Sequence, residues 1–198
     1  YDRTNGKLLW QRTLAEELPH EGGHHTGSLA SHSPVTDGKH VFACFGSHGL
    51  YCLDFDGKLV WKAKLTKLQT KHGHGEGSSP VLFGDTLIVN WDHEGQSFLV
   101  AFDKRTGEEV WRALDVVGEM GYGQPIIIEA GGARQLIVWN PEEVASLDPV
   151  TGDVYWRQPY TVGGAMTVAV PVQVGSQLFF TTFYDGPLML TLDQDRPG

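Results

Sequence analysis

The chain has 198 residues, 40% of them hydrophobic, with 25 glycines and 10 prolines, which is enough apolar matter for a core and the punctuation of many short strands. Its formal net charge of −9 excludes a basic nucleic-acid-binding stripe, and no apolar run is long enough to be a membrane-spanning helix. It starts at Tyr rather than Met, already inside a motif, so it reads as a segment of a longer chain whose targeting region is elsewhere.

In chain order, the first element is the run Asp2-Arg3-Thr4-Asn5-Gly6-Lys7-Leu8-Leu9-Trp10. It returns as Asp54 to Trp61, one residue shorter before its Gly, then as Asp103 to Trp111 and Asp148 to Trp156. A fifth copy starts at Leu192-Asp193. A second, independent marker has the same period: Pro34, Pro80, Pro125 and Pro171 each begin an apolar run. Such an internal repeat is the mark of a propeller or solenoid.

Each part of the repeat has a physical reason. The Asp side chain can bond the backbone just ahead of it, and Gly6, Gly57, Gly107 and Gly152 accept positive φ in a tight turn. Strand formers flank the turn. Trp10, Trp61, Trp111 and Trp156 follow four residues after these glycines, at one repeat position. A large flat ring there suits the gap between one sheet and the next.

The first full unit predicts strands starting at Ser33-Pro34-Val35, then Val41 to Phe45, Leu50 to Asp54 and Leu59 to Leu65, with a turn at Thr36 to Lys39. Second strands of the next units are expected at Leu87 to Trp91 and Leu136 to Trp139. Whole blades are expected at about 29–65, 78–114 and 123–159, three strands of another at 169–193, and a third and fourth strand at 1–14. The expected fold is an all-β propeller of four-stranded antiparallel blades, one segment over 1–198. It would form about half of a seven- or eight-bladed ring, the rest lying outside this sequence. The alternative is a four-bladed ring closed by the N-terminal strand.

The Asp-x-x-x-Gly-x-x-x-Trp unit resembles the tryptophan-docking motif of the pyrroloquinoline-quinone (PQQ) repeat family. His74-Gly75-Glu76-Gly77-Ser78-Ser79-Pro80 and Asn90-Trp91-Asp92-His93-Glu94-Gly95-Gln96-Ser97-Phe98 look most similar to PQQ-like bacterial repeat proteins. That family includes quinoprotein alcohol dehydrogenases and non-enzymatic relatives such as the propeller lipoprotein of the outer-membrane assembly machinery. The resemblance implies an exported protein, periplasmic or extracellular, that binds a protein or peptide partner without catalysis. Under its enzymatic branch it implies PQQ, Ca²⁺, two adjacent cysteines against the quinone and an Asp base. The sequence has no Cys-Cys pair, and its only cysteines are Cys44 and Cys52. No catalytic residue and no cofactor is therefore assigned.

In a propeller, the loops from strand two to three and from strand four to the next strand one open on the same face. Eight of the nine histidines fall in or beside such loops, and only His40 falls opposite. The candidates for a ligand or metal at that mouth are His24, His48, His72, His74, Glu76, Asp92 and His93, since zinc takes imidazole and carboxylate together. The competing reading is that polar loops hold solvated histidines. A three-residue turn at Ser47-His48-Gly49 would put Cys44 opposite Cys52 and within reach of a disulfide, while a longer turn would not.

Overall fold

In a computed structural model, residues 1–19, 23–25, 27–28, 30–68, 75–93, 95–117, 121–165 and 167–197 are described. The repeat turn forms as its chemistry requires. Asp103 Oδ1 accepts the backbone N–H groups of Arg105 and Thr106, at 2.7 and 3.2 Å. Gly107 N–H closes on the Asp103 carbonyl at 2.8 Å. Asp2, Asp54 and Asp148 make the same kind of Asx turn. The four glycines stand at φ between 71° and 81°. The Arg105 side chain, then the backbone N–H groups, hold the Asp103 carboxyl down to about 2.

Between the turns the chain folds into four antiparallel sheets. The first has β1 (Val35–Thr36), β2 (His40–Cys44), β3 (Leu50–Asp54) and β4 (Leu59–Ala63). The second has β5 (Val81–Phe83), β6 (Thr86–Trp91), β7 (Gln96–Asp103) and β8 (Glu109–Val117). The third has β9 (Ile126–Ala130), β10 (Ala133–Trp139), β11 (Glu143–Leu147) and β12 (Val154–Pro159). The fourth has three strands, β13 (Val172–Val174), β14 (Gln177–Thr181) and β15 (Pro187–Thr191). Within each sheet every strand pairs with its neighbour in sequence. The first strands β1, β5 and β9 lie side by side, and Gln173 of β13 bonds the Glu129 carbonyl of β9 at 2.9 Å. These are propeller blades radiating from one axis.

The apolar cores lie between blades, because alternation along a strand sends successive residues to opposite faces, and each of the two interior sheets meets a neighbour on both. Phe42, Cys44, Leu50 and Cys52 of the first sheet meet Leu87, Val89, Trp91 and Val100 of the second. Ile88, Leu99 and Ala101 of the second meet Leu136, Val138, Ala145 and Leu147 of the third. Ile137, Trp139 and Val144 of the third meet Leu178 and Phe180 of the fourth.

The indoles at the repeat position pack from one unit onto the turn of the next. Trp10 donates its Nε1–H to the Phe55 carbonyl at 2.7 Å, and Trp61 to the Lys104 carbonyl at 2.9 Å. A Cβ placed on Gly57, Gly107 or Gly152 would come within 2.7, 2.6 and 2.8 Å of the rings of Trp10, Trp61 and Trp111. Positive φ and the overlying ring both demand Gly there.

One local expectation changes, and one open alternative is decided. Residues 1–14 carry the Asp2 turn but no strand. A fourth-strand sequence becomes a strand only by ladder bonds to a third, and no described strand lies beside it. The loop between β2 and β3 is also longer than a three-residue turn. It runs from Phe45 to Gly49 through a 3-10 turn at Gly46–His48, closed by Phe45 N–H on the Gly49 carbonyl at 2.9 Å. Cys44 therefore stands opposite Leu50, and Cys52 opposite Phe42. Both thiols are free and buried, and burial pushes each up to about 11.

Candidate functional site

The loops from strand two to three meet the connections from strand four to the next strand one, so both line one mouth. In the first blade Glu76 accepts the Ser47 N–H at 2.6 Å and the Ser47 hydroxyl. The same hydroxyl oxygen accepts Leu68 N–H at 2.7 Å. The Glu76 carboxylate lies against the α-carbon of Gly46, where any side chain would collide with it. In the second blade Asp92 is buried, accepts the Ser97 hydroxyl at 2.8 Å and the Gly121 N–H at 2.8 Å, and so ties its loop to the connection into the third blade. In the third, Val162 and Tyr160 N–H bond the carbonyls of Pro141 and Glu142. In the fourth, Asp185 accepts the Gly163 N–H at 2.7 Å.

A line of serines joins the blades just inside. Ser33 N–H bonds Ser79 Oγ at 2.9 Å, and Ser78 Oγ bonds the Gly123 carbonyl at 3.0 Å. Each bond joins equivalent residues of adjacent repeats, the first through the residue just before the blade's opening Pro and the second through the residue before that.

The sequence candidates divide by what their polar atoms do. His93 is buried, and both ring nitrogens are engaged: Nδ1 with Gly95 N–H at 3.1 Å, Nε2 with the Gln96 carbonyl at 3.1 Å. The ring thereby braces the loop through both nitrogens. His48 Nδ1 stands 3.4 Å from Glu17. His24 is exposed, and its ring lies tilted beside that of His25, centroids 4.2 Å apart. His40 pairs with Asp37 at 3.5 Å in the turn between β1 and β2. His72 and His74 lie outside the described residues. Among the described residues no three His, Cys, Asp or Glu side chains gather as a metal site.

Sequence reasoning missed a cleft of about 320 Å³ beside the first blade. Its walls include Leu14, Pro19, Phe45 and Tyr51, with Glu17 and His48 at the polar side. Phe45 and Tyr51 meet edge to face at 5.9 Å, and the Tyr51 hydroxyl bonds the His48 carbonyl. Leu14 to Pro19 follow the first Trp in a region of no periodicity, so nothing in the sequence pairs them with Phe45. Thr167, fully buried with its hydroxyl unpartnered, was equally invisible.

The Asp2 to Trp156 turn-and-indole repeat and the four radiating sheets define a β-propeller of PQQ-like repeats. The profile of the family described as outer membrane protein assembly factor BamB matches residues 1–197, and the chain belongs to that family. Among solved structures it is similar to BamB from Moraxella catarrhalis, with TM-score 0.60, 20% identity, and coverage of 81% of this chain and 46% of that one. It is similar also to quinohemoprotein alcohol dehydrogenase from Comamonas testosteroni, with TM-score 0.60, 14% identity, and 83% and 33% coverage. A third is quinohemoprotein alcohol dehydrogenase ADHIIG from Pseudomonas putida HK5, with TM-score 0.53, 15% identity, and 75% and 28% coverage. The chain thus spans less than half of each of these chains. No curated protein matches it in sequence.

The enzymatic relatives raise the question of a quinone site. The adjacent cysteine pair that such a site implies does not fit here. Cys44 and Cys52 are not adjacent in sequence, and both face the apolar core between the first two blades.

Proposed function

We propose that this chain is about half of a non-catalytic propeller that works outside the cytoplasm, in the periplasm, as a rigid scaffold for protein or peptide partners of outer membrane protein assembly. The carrying observation is the use made of polar groups at the mouth. Glu76, Asp92 and His93, the groups best suited to chemistry, are occupied in bracing loops. What they leave open is an apolar cleft rimmed by Glu17 and His48. Such a surface suits an extended peptide with an apolar anchor. The family, described by an assembly factor, supports the same reading. The docked indoles stiffen the ring by joining each blade to the next.

The test is fluorescence anisotropy with labelled peptides copying β-strands of outer membrane proteins. Saturable binding that Phe45→Asp weakens by about tenfold or more supports the reading. No binding, together with alcohol-dependent dye reduction after addition of PQQ and Ca²⁺, would overturn it.

A further inference from the structure

Each four-stranded sheet ends in an outermost strand at the rim of the propeller, and β4, β8 and β12 pair on one side only. All three carry the same guard against strand addition, a register shift that leaves Val60, Val110 and Tyr155 without a cross-strand partner. In β8 and β12 the basic residue after the Trp is neutralised within its own blade. Arg112 bonds Glu109 at 2.6 and 3.1 Å, and Arg157 bonds Glu143.

The first sheet departs from this pattern. Between Asp56 and Glu76 the sequence places five of the chain's 15 basic residues, all of them Lys, and no acid. Lys58, Lys62, Lys64 and Lys67 are exposed, while Lys71 lies outside the described residues. Lys64 lies 4.0 Å from Glu17. Lys58, Lys62 and Lys67 have no acidic partner among the described residues. The chain from Lys58 to Lys64 is extended around β4 and covers about 20 Å of rim. Leu59 and Val60, 42 and 47% exposed, stand among the lysines. Their exposure belongs to the repeat position. Glu108 and Asp153 match Lys58, Arg112 and Arg157 match Lys62, and all four are exposed although a blade precedes each.

We propose that the outer edge of the first sheet is a docking surface for an anionic lipid bilayer. The lysines meet the phosphate headgroups, with Leu59 and Val60 at headgroup level between them. The bulge at Val60 already blocks strand addition, so edge protection does not account for the lysines. A bilayer fits them better than an acidic protein does. Lys is depleted in specific protein interfaces, where Arg and aromatic residues supply the anchors. Ammonium groups attract phosphate as point charges, without a fork that fixes one geometry. A rim edge with no strand beyond it can also be laid on a plane. The net charge of −9 does not forbid the contact, because acids more than about 8 Å away are screened at physiological salt. It dictates instead that the propeller approaches by this edge. This surface is separate from the mouth and does not rest on the scaffold reading.

Flotation of the full chain tests this, with vesicles of phosphatidylcholine and phosphatidylglycerol against vesicles of phosphatidylcholine alone. The chain is expected to float with the anionic vesicles only, and high salt releases it. Lys58→Gln, Lys62→Gln and Lys67→Gln together weaken partition by about tenfold or more. Arg3→Gln, Lys7→Gln and Lys39→Gln together remove the same charge elsewhere and keep most of it. All six side chains are exposed, so both variants leave circular dichroism unchanged. Equal losses in the two variants reduce the effect to net charge and overturn the proposal. Release by inorganic phosphate at matched ionic strength overturns it in favour of a discrete anion site. Binding to polyglutamate without flotation overturns it in favour of an acidic protein, and the absence of both removes the docking surface.

Discussion

The third and fourth sheets have the same strand alternation, yet they live in different solvents. Gln135 precedes the buried Leu136 in β10 as Gln177 precedes the buried Leu178 in β14. Gln135 is 1% exposed and fully used: its oxygen accepts Ser146 Oγ–H at 2.6 Å and Trp156 Nε1–H at 3.1 Å, and its nitrogen donates to the Ala130 carbonyl. Gln177 faces water. Ile137 is wholly buried by the fourth sheet, while the matching Phe179 keeps part of its ring in water and its partner Met189 is half exposed. A propeller blade therefore draws its core from its neighbours, and the same sequence pattern is worth much or little according to what stands beside it.

That contrast can be broken by mutation, with chemical denaturation as the readout throughout. The largest effect is expected at the indoles. Trp111→Ala removes a ring wedged on Gly152 and should cost about 3 to 5 kcal/mol. Trp156→Ala, where the ring is only partly buried, should cost about half as much. Equal losses would show that Trp156 is as well covered in solution as Trp111.

Next come the glycines. Gly152→Ala must strain a backbone at φ 81° and push the Trp111 ring aside, for about 2 to 4 kcal/mol. Gly175→Ala has the φ strain alone, with open space around it, and should cost about 1 kcal/mol. Gln135→Ala strands the Ser146 hydroxyl and the Trp156 N–H, for about 2 to 3 kcal/mol, while Gln177→Ala stays within about 0.5 kcal/mol.

A separate effect, read out through pH, lies at the head of the first sheet. Burial lowers His32 to about 4, and its Nδ1 has no hydrogen-bond partner. The folded state thus binds its proton less readily than the unfolded state. Stability is full above the ordinary histidine value near 6.5 and falls as pH drops from there towards 4. His32→Gln should flatten this part of the stability–pH curve, by about 1 to 2 kcal/mol.

Much of the fold was legible because its signals are local. The Asp2, Asp54, Asp103 and Asp148 turns follow from one carboxylate and one glycine within five residues. β3 was placed residue for residue, and β6 to within one. The mouth was legible only as a list of residue types. Asp92 was singled out as a ligand, but its partner Gly121 is 29 residues away and carries no side chain to announce the contact. Ser47 and Glu76 are likewise 29 residues apart. The cleft joins a loop to a segment without periodicity, so neither half predicts the other.

The amino-acid order alone determined the repeat, its turns, the strand alternation and the position of the indoles, because each depends on dihedral preference or side-chain chemistry within a few residues. Tertiary structure decided which alternating face is dry, which acids brace loops, how Cys44 and Cys52 sit apart, and that residues 7–14 remain unpaired. Those outcomes depend on which surfaces and backbone groups come within reach across a blade gap, and reach is a property of the assembled ring.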